Sequence, residues 1–272
     1  MKIGNRSFDV SGKHTYIMGI LNVTPDSFSD GGQWNEMDAA LFHTEEMINA
    51  GADIIDVGGE STRPGYAKIS SREEIERTAP VLERIKERFD IPLSLDTYKA
   101  DVAAAGIKAG ADLINDIWGL KADGEMAKVI AEAGVSCCLM HNRENTEYRE
   151  LIKDIIQELS ESVELAVNAG IPKESIILDP GVGFGKTTEN NLEAVAKLDK
   201  LRILGYPLLL GCSRKSVIGN TLKLPVEERL EGTLVTTVYA VIKGASFIRV
   251  HDVKENVRAV RMAEAIRDME GV

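Results

Sequence analysis

The stretch Tyr16-Ile-Met-Gly-Ile-Leu21 runs directly into Asn22-Val-Thr-Pro-Asp-Ser-Phe-Ser-Asp-Gly-Gly32, and this change of character indicates the fold. The first part is apolar enough for a buried strand. The second part carries an amide, hydroxyls and carboxylates, with Phe28 as its one aromatic side chain. We interpret it as a polar loop over a site at the strand's carboxyl end. Taken alone, it is equally compatible with an ordinary turn rich in Asp, Ser and Gly.

The same change from apolar to polar residues recurs along the chain. The further apolar runs cover residues 54–57, 93–96, 113–116, 136–140, 176–179, 208–210 and 247–250. Amphipathic stretches separate many of them, for example 72–88, 147–169, 189–199, 226–243 and 253–269. Glycines such as Gly51, Gly110 and Gly170 follow the ends of such stretches, where a helix needs a left-handed residue. A repeated strand–loop–helix unit predicts parallel βαβ construction.

Eight such strands predict a closed (β/α)8 barrel, the TIM-barrel architecture, and 272 residues come close to its usual length of about 250. A doubly wound open sheet is the alternative. The barrel is favoured because polar residues end nearly all the strands, whereas an open sheet concentrates its site at one switch point. We expect residues 1–15 to form a hairpin that covers the barrel's amino-terminal end, and residues 1–272 to form a single domain.

Composition limits the classes of function. Hydrophobic residues make up 44% and charged residues 28%, a balance typical of one globular domain. The net charge of −11 argues against nucleic acid and anionic membranes as partners. No apolar run reaches membrane-spanning length, and we expect no signal peptide. Cys137 and Cys138 are adjacent and should point to opposite faces of a strand, so we expect them and Cys212 to be reduced core thiols in a cytosolic protein.

One glycine-rich segment, 181–187, invites comparison with nucleotide-binding loops. It fails the Walker A pattern, because Pro180 stands where the first glycine belongs. It also fails the dinucleotide fingerprint, because Lys186 replaces the third glycine. We therefore interpret it as a short turn after Asp179 whose glycines permit close approach of a ligand.

Polar residues at the predicted strand ends suggest the ligand. Asp96 and Asp179 close two separate strands, and a carboxylate there suits a planar, guanidine-like edge that offers paired N–H donors. Asn115 adds an amide that can both donate and accept. Alternatively, each carboxylate is a structural ion pair or a helix cap.

Positive charge is predicted near the ends of the last two strands. Ser213-Arg-Lys-Ser216, Arg249 and His251 lie where barrels of this type frequently bind phosphate. Asn22 and Arg63, from the first two polar loops, should reach the same region. Lys215 or Arg249 alone could equally be a solvated surface charge.

Together these segments resemble the dihydropteroate synthase family of pterin-binding barrels. The resemblance covers nearly the whole chain and rests on residues 22–32, Gly58-Gly-Glu-Ser-Thr-Arg-Pro-Gly65, Asp179-Pro-Gly-Val-Gly-Phe184, Ser213-Arg-Lys-Ser216 and Arg249-Val-His-Asp252. The first two segments are the most specific. The chain departs from the family's usual pattern at Cys212, where small residues are common, and after His141.

The resemblance implies a transferase of folate biosynthesis that joins 6-hydroxymethyl-7,8-dihydropterin diphosphate to 4-aminobenzoate and releases pyrophosphate. It also implies a sulfonamide target, Mg2+ as cofactor and a homodimer. The roles it implies are as follows: Asp96, Asn115, Met140, Asp179, Phe184 and Lys215 for the pterin; Asn22, Arg249 and His251 for the diphosphate; Asn22 for Mg2+; and Thr62, Arg63, Pro64 and Ser216 for aminobenzoate. Asp96, Lys215, Arg249, His251 and Arg63 would act in catalysis.

Two other functions stay open at this point. One is a methyltetrahydrofolate:corrinoid methyltransferase on the same kind of barrel, which would have no reason to carry a diphosphate site. The other is a non-catalytic pterin-binding protein, although each expected position is filled here.

Overall fold

The computed structural model describes residues 1–24, 32–60 and 68–269. A short antiparallel hairpin opens the chain, with β1 at Lys2–Ile3 and β2 at Arg6–Ser7. Eight parallel strands follow: β3 Tyr16–Asn22, β4 Ile54–Gly58, β5 Leu93–Asp96, β6 Leu113–Asp116, β7 Ser136–Met140, β8 Ile176–Asp179, β9 Leu209–Leu210 and β10 Phe247–Val250.

The parallel strands form a closed barrel. Their order is β8-β7-β6-β5-β4-β3-β10-β9, and a bridge between Leu178 and Leu208 joins the two ends. A backbone hydrogen bond of 3.0 Å from Leu178 N to Pro207 O supports the same closure. The (β/α)8 prediction is therefore confirmed, and the open sheet is excluded.

Helices surround the barrel within the described residues. They are α1 Gly32–Ala50, α2 Ser71–Arg88, α3 Ala100–Lys108, α4 Met126–Ala133, α5 Leu151–Asn168, α6 Thr188–Ala196, α7 Ser216–Leu222, α8 Leu230–Ile242 and α9 Val253–Met269. Helix α2 begins where the Ser70 hydroxyl accepts from Glu73 N, and Lys86 and Arg88 in its last turn complement the helix dipole. None of the described helices is long and apolar enough to cross a membrane.

Three predicted helical stretches end or begin elsewhere in the structure. The stretch 147–169 starts four residues late, at Leu151. The stretch 189–199 ends at Ala196 and continues as a 3-10 helix over Leu198–Leu204. The stretch 226–243 divides into a 3-10 turn, Val226–Glu228, and α8. In the second and third stretches apolar periodicity continues through the tighter 3-10 turns, so it does not distinguish them from α-helix.

Alternate residues of the strands face the barrel interior and form layers. The layer near the amino-terminal end is apolar and packs as one cluster: Met18, Ile54, Leu113, Cys138, Ile177, Leu209 and Phe247. Their strand neighbours, including Ile17, Ile55, Ile114 and Cys137, face the helices in a second cluster. Cys137 and Cys138 are thus buried on opposite faces with free thiols, as predicted.

The amino-terminal hairpin covers this apolar layer. Ile3 and Phe8 are 0% and 5% exposed and belong to the interior cluster. The Phe8 ring lies 4.8 Å from the Tyr16 ring and 5.8 Å from the Phe247 ring, centre to centre. Ser136 Oγ donates to Lys2 O at 3.0 Å and holds the hairpin in place. The predicted amino-terminal hairpin is confirmed, with its two strands between Lys2 and Ser7.

Replacing Phe8 with alanine should open a cavity at the closed end of the barrel. We expect Phe8→Ala to lower the free energy of unfolding by roughly 3 kcal/mol, the usual cost of removing a buried phenylalanine ring. Phe42→Ala is the matched control, because Phe42 is 63% exposed, and it should change stability by no more than about 0.5 kcal/mol. Urea unfolding measures both, and equal losses would contradict the covering role.

Candidate functional site

The opposite, carboxyl end of the barrel carries a polar layer. Strand pairing aligns Gly58 with Asp96, Asp96 with Asn115, and Met140 with Asp179. These positions face the interior because they lie an even number of residues beyond the apolar layer. Asp96, Asn115 and Asp179 are 9%, 4% and 5% exposed, so they lie inside the mouth of the barrel rather than on its rim.

Arg249 reaches across this layer and bonds two carboxylates. Its Nε donates to Asp56 Oδ2 at 2.6 Å and its Nη2 to Asp96 Oδ2 at 2.7 Å. Asp56 Oδ2 also lies 3.4 Å from Asn115 Nδ2. Burial lowers the pKa of Arg249, but the Asp56 and Asp96 carboxylates outweigh it and raise that pKa above its ordinary value. The guanidinium is therefore a permanent charge at the centre of the site.

Several buried acceptors in this layer have no partner among the described residues. They include Asp56 Oδ1 and Asp96 Oδ1, together with Ser94 Oγ. Burial raises the pKa of Asp96, with Arg249 opposing it. A buried carboxylate oxygen without a donor is costly, so these oxygens are free to accept hydrogen bonds from a ligand or from water.

Asp179 and Lys215 form a second set of opposite charges in this layer. Burial raises the pKa of Asp179, with Lys215 opposing it, and burial lowers the pKa of Lys215, with Asp179 opposing it. Gly211 lies next to Asp179, Lys215 and Arg249. A Cβ built on Gly211 would be 3.8 Å from Asp179 Oδ2, from Lys215 Nζ and from Arg249 Cβ. The absent side chain lets these three groups converge on one space.

An aromatic wall adjoins Lys215. The Lys215 ammonium lies 4.8 Å from the centre of the Phe184 ring and donates to Val182 O at 2.6 Å. Met140, 4% exposed, pairs in register with Asp179 at the end of β7. The pocket thus combines polar groups at its base with apolar and aromatic sides, as small-molecule sites do.

Three other predicted residues lie at or after the carboxyl ends of their strands. Asn22 ends β3. A Cβ built on Gly58 would lie 3.6 Å from Asn22 Oδ1 and 4.0 Å from Asp96 Oδ2, so the two side chains flank Gly58. His251 follows β10, with Nδ1 3.0 Å from Ser213 Oγ. Ser216 is exposed at the start of α7.

The structure brings Asp96, Asn115, Asp179, Lys215 and Arg249 together, as the strand ends predicted. Thr62, Arg63 and Pro64 lie outside the described residues, so their predicted roles stay predictions.

Sequence reasoning missed Asp56. It is fully buried and bonds Arg249, yet it lies two residues before the end of β4, within a run that is otherwise apolar. The alternation Ile54, Asp56, Gly58 could have revealed it, because this set shares the interior face.

Comparison with known proteins decides the family. The model of the pterin binding enzyme family matches residues 18–251. A dihydropteroate synthase of Clostridium beijerinckii is 61% identical, over 98% of this chain and 99% of that protein. The chain belongs to the dihydropteroate synthase family of pterin-binding enzymes.

Solved structures agree with this assignment. A dihydropteroate synthase from Clostridium difficile, solved in the presence of pteroic acid, is 52% identical, with a TM-score of 0.93 over 96% of this chain and 99% of that one. The Yersinia pestis enzyme in a sulfonamide drug complex is 44% identical, with a TM-score of 0.92 over 98% and 99% of the two chains. The predicted family, fold and enzyme class are confirmed.

Asp56 should orient Arg249 in the enzyme. Asp56→Asn keeps the shape but removes the charge that accepts from Arg249 Nε. We expect kcat/KM to fall at least about tenfold, since a hydrogen bond between charged groups contributes roughly 1.5–3 kcal/mol. The readout is dihydropteroate formation under steady-state conditions.

Asp112→Asn is the matched control. Its carboxylate accepts from Lys86 Nζ at 2.6 Å and Leu93 N at 2.9 Å near the opposite end of the barrel. This variant should keep kcat/KM within about twofold, because it changes no group in the polar layer. A wild-type kcat/KM in folded Asp56→Asn would rule out the orienting role.

Proposed function

We propose that this enzyme condenses 6-hydroxymethyl-7,8-dihydropterin diphosphate with 4-aminobenzoate to give 7,8-dihydropteroate and pyrophosphate, a step of folate biosynthesis. The observation that carries the proposal is the buried polar layer, in which Asp96, Asn115 and Asp179 stand beside the cations Lys215 and Arg249. A pterin edge offers adjacent N–H donors next to ring acceptors, and this layer supplies the complementary groups. The pteroic acid in the Clostridium difficile structure, a pterin joined to 4-aminobenzoate, supports the same substrates.

Each group in the layer has a proposed part in holding the pterin. Asp179 keeps one oxygen on Gly181 N, at 2.7 Å, and turns the other toward the space beside Gly211. Asp96 offers its unpartnered Oδ1, and Asn115 its amide. Met140 and Phe184 form the walls against the two faces of the ring, with Lys215 over the ring edge.

The diphosphate subsite is proposed to consist of Arg249, His251 and Asn22. The described residues contain no cluster of three His, Cys, Asp or Glu side chains that could hold a metal by itself. The one oxygen donor assigned to the ion, Asn22 Oδ1, fits Mg2+ that arrives with substrate phosphates, because Mg2+ commonly takes few protein ligands. Such an ion would neutralise charge on the diphosphate.

The charge pattern suits loss of the leaving group before attack. The bond between the pterin methylene carbon and the diphosphate oxygen breaks, and its electron pair departs with pyrophosphate. Three carboxylates, from Asp56, Asp96 and Asp179, favour the cation left on the pterin, while Arg249 and His251 favour the departing anion. The aminobenzoate nitrogen then bonds the methylene carbon and releases a proton. A weak aromatic amine requires a strong electrophile rather than a strong base, so this route needs no catalytic triad.

The aminobenzoate subsite, assigned to Thr62, Arg63, Pro64 and Ser216, remains a proposal based on the sequence. The homodimer, the cytosolic location and the single domain over residues 1–272 are proposals of the same kind. A methyltetrahydrofolate:corrinoid methyltransferase is the second candidate, but Arg249 and His251, which are assigned to the diphosphate, favour a substrate with an anionic leaving group.

Release of pyrophosphate tests the proposed reaction. With pterin diphosphate, 4-aminobenzoate and Mg2+, the wild type should release one pyrophosphate per dihydropteroate. Arg249→Ala should reduce turnover by about 10²–10³-fold, by analogy with loss of one electrostatic donor, and Arg249→Lys should recover only part of it. Arg84→Ala, an exposed arginine on α2, serves as control. No pyrophosphate release by wild type, or full activity of Arg249→Ala, would contradict the proposal.

Binding order provides an independent prediction. The pterin cation that the aminobenzoate nitrogen attacks forms only after the pterin diphosphate has bound. Arg63 is also assigned to a position near both the diphosphate and the aminobenzoate subsites. We therefore expect 4-aminobenzoate to bind weakly alone and about 5–150-fold more tightly with pyrophosphate and Mg2+ present, the usual range for coupled sites. Titration calorimetry measures both affinities, and equal values would exclude the coupling.

A further inference from the structure

Lys186, which no role in the reaction accounts for, makes three contacts behind the pterin pocket. Its Nζ donates to Gly181 O and Phe184 O, both at 3.0 Å, and lies 2.8 Å from His141 Nδ1. An ammonium group has three N–H donors, so all three are used here. Burial lowers the pKa of Lys186 to about 7, with Asp179 opposing it. The half-buried lysine is thus held by a complete set of acceptors.

His141 is the acceptor on the neighbouring loop. It follows Met140 at the end of β7, is 3% exposed, and its backbone N donates to Asp179 O at 2.9 Å. Because an ammonium has only donors to offer, His141 Nδ1 is the acceptor and the ring is neutral. Burial, reinforced by Lys186 and Arg143, lowers the pKa of His141 to about 2, which agrees. Its Nε2 lies 3.1 Å from Glu158 Oε2 without the alignment of a hydrogen bond.

The two loops also meet through backbone. Gly181 has φ of +69°, and a Cβ there would lie 1.8 Å from His141 O. Glycine is required at this contact for both reasons. Lys186 and Lys215 bind three carbonyls of the same turn, those of Gly181, Val182 and Phe184.

This turn sets the geometry of two pterin-contacting groups. Gly181 N fixes Asp179 through its Oδ1, and Phe184 supplies the aromatic wall. If the turn shifts, the free Asp179 oxygen and the ring move together. Such a shift would weaken pterin binding, because paired hydrogen bonds need accurate placement.

We propose that Lys186, anchored by His141, is a positioning residue that holds the Gly181–Phe184 turn in the conformation that binds the pterin. The proposal rests on the assignment of this pocket to the pterin. Under this proposal, loss of the Lys186 hydrogen bonds weakens pterin binding and leaves pyrophosphate binding unchanged. A purely structural role would instead change stability and affect both ligands alike.

Lys186→Met tests the donor, because it keeps the aliphatic length and removes the N–H groups. The matched control is Lys197→Met, at an exposed position directly after α6, where the lysine pairs with Glu193. Titration calorimetry at about pH 6, below the pKa of Lys186, gives the Kd of 6-hydroxymethylpterin and of pyrophosphate. We expect Lys186→Met to raise the pterin Kd at least about tenfold, equivalent to losing one charge-assisted hydrogen bond, and to leave the pyrophosphate Kd within about twofold.

Two variants of His141 test the hydrogen-bond acceptor, and they keep the proposal testable if Lys186→Met fails to fold. In His141→Asn the side-chain oxygen takes the place of Nδ1, and this variant should bind pterin within about threefold of wild type. His141→Leu has no acceptor and should behave like Lys186→Met. Hydrogen exchange of the Gly181–Phe184 amides should quicken in Lys186→Met and His141→Leu but not in His141→Asn, without any ligand added.

The outcomes separate this proposal from the assignment of the site. Pterin binding within about twofold of wild type in folded Lys186→Met, equal weakening of both ligands, or identical behaviour of the two His141 variants would each overturn it. A wild type that binds no pterin would refute the proposed function, while the hydrogen-exchange difference would still report whether Lys186 holds the turn.

Discussion

The bonds from Arg249 to Asp56 and Asp96 are the interaction on which the site depends. They join β10 to β4 and β5 across the mouth of the barrel. A guanidinium buried without partners would be strongly destabilising, and two carboxylates facing each other without it would repel. The three groups therefore require one another, and each holds the others in the orientation in which a ligand meets them. The remaining lone pairs, on Asp56 Oδ1 and Asp96 Oδ1, have no donor among the described residues.

The barrel divides stability and function between its two ends. The apolar layer under the hairpin, centred on Phe8 and Phe247, contains no charge and packs as a core. The polar layer, two residues further along the strands, concentrates carboxylates and cations in a confined space. The net charge of −11 would repel an anionic substrate, so local cations such as Arg249 and Lys215 must overcome that field at the site itself.

Several contacts hold the groups that line the site from behind. Asp56 orients Arg249, and the carbonyls of one glycine-rich turn are bound by Lys186 and Lys215. Such a turn has few side chains of its own with which to hold a conformation, since its glycines are chosen for close approach. Long cationic side chains from outside the turn supply the missing contacts. The site is consequently organised before substrate arrives, which favours both affinity and a defined reaction geometry.

The strand positions, the closed barrel and the polar strand ends followed from the sequence. Apolar runs and alternation are local properties of the chain, and they decide directly which segments form buried strands. Asp96, Asn115 and Asp179 were recognisable for the same reason, since each ends a run. Tertiary structure alone decided that Asp56, in the middle of a run, bonds Arg249, and that Lys186 joins the turn after β8 to His141 after β7. These contacts connect residues 193 and 45 positions apart. No local pattern encodes such pairs, because they arise only when closure of the barrel brings the ends of different strands to one place.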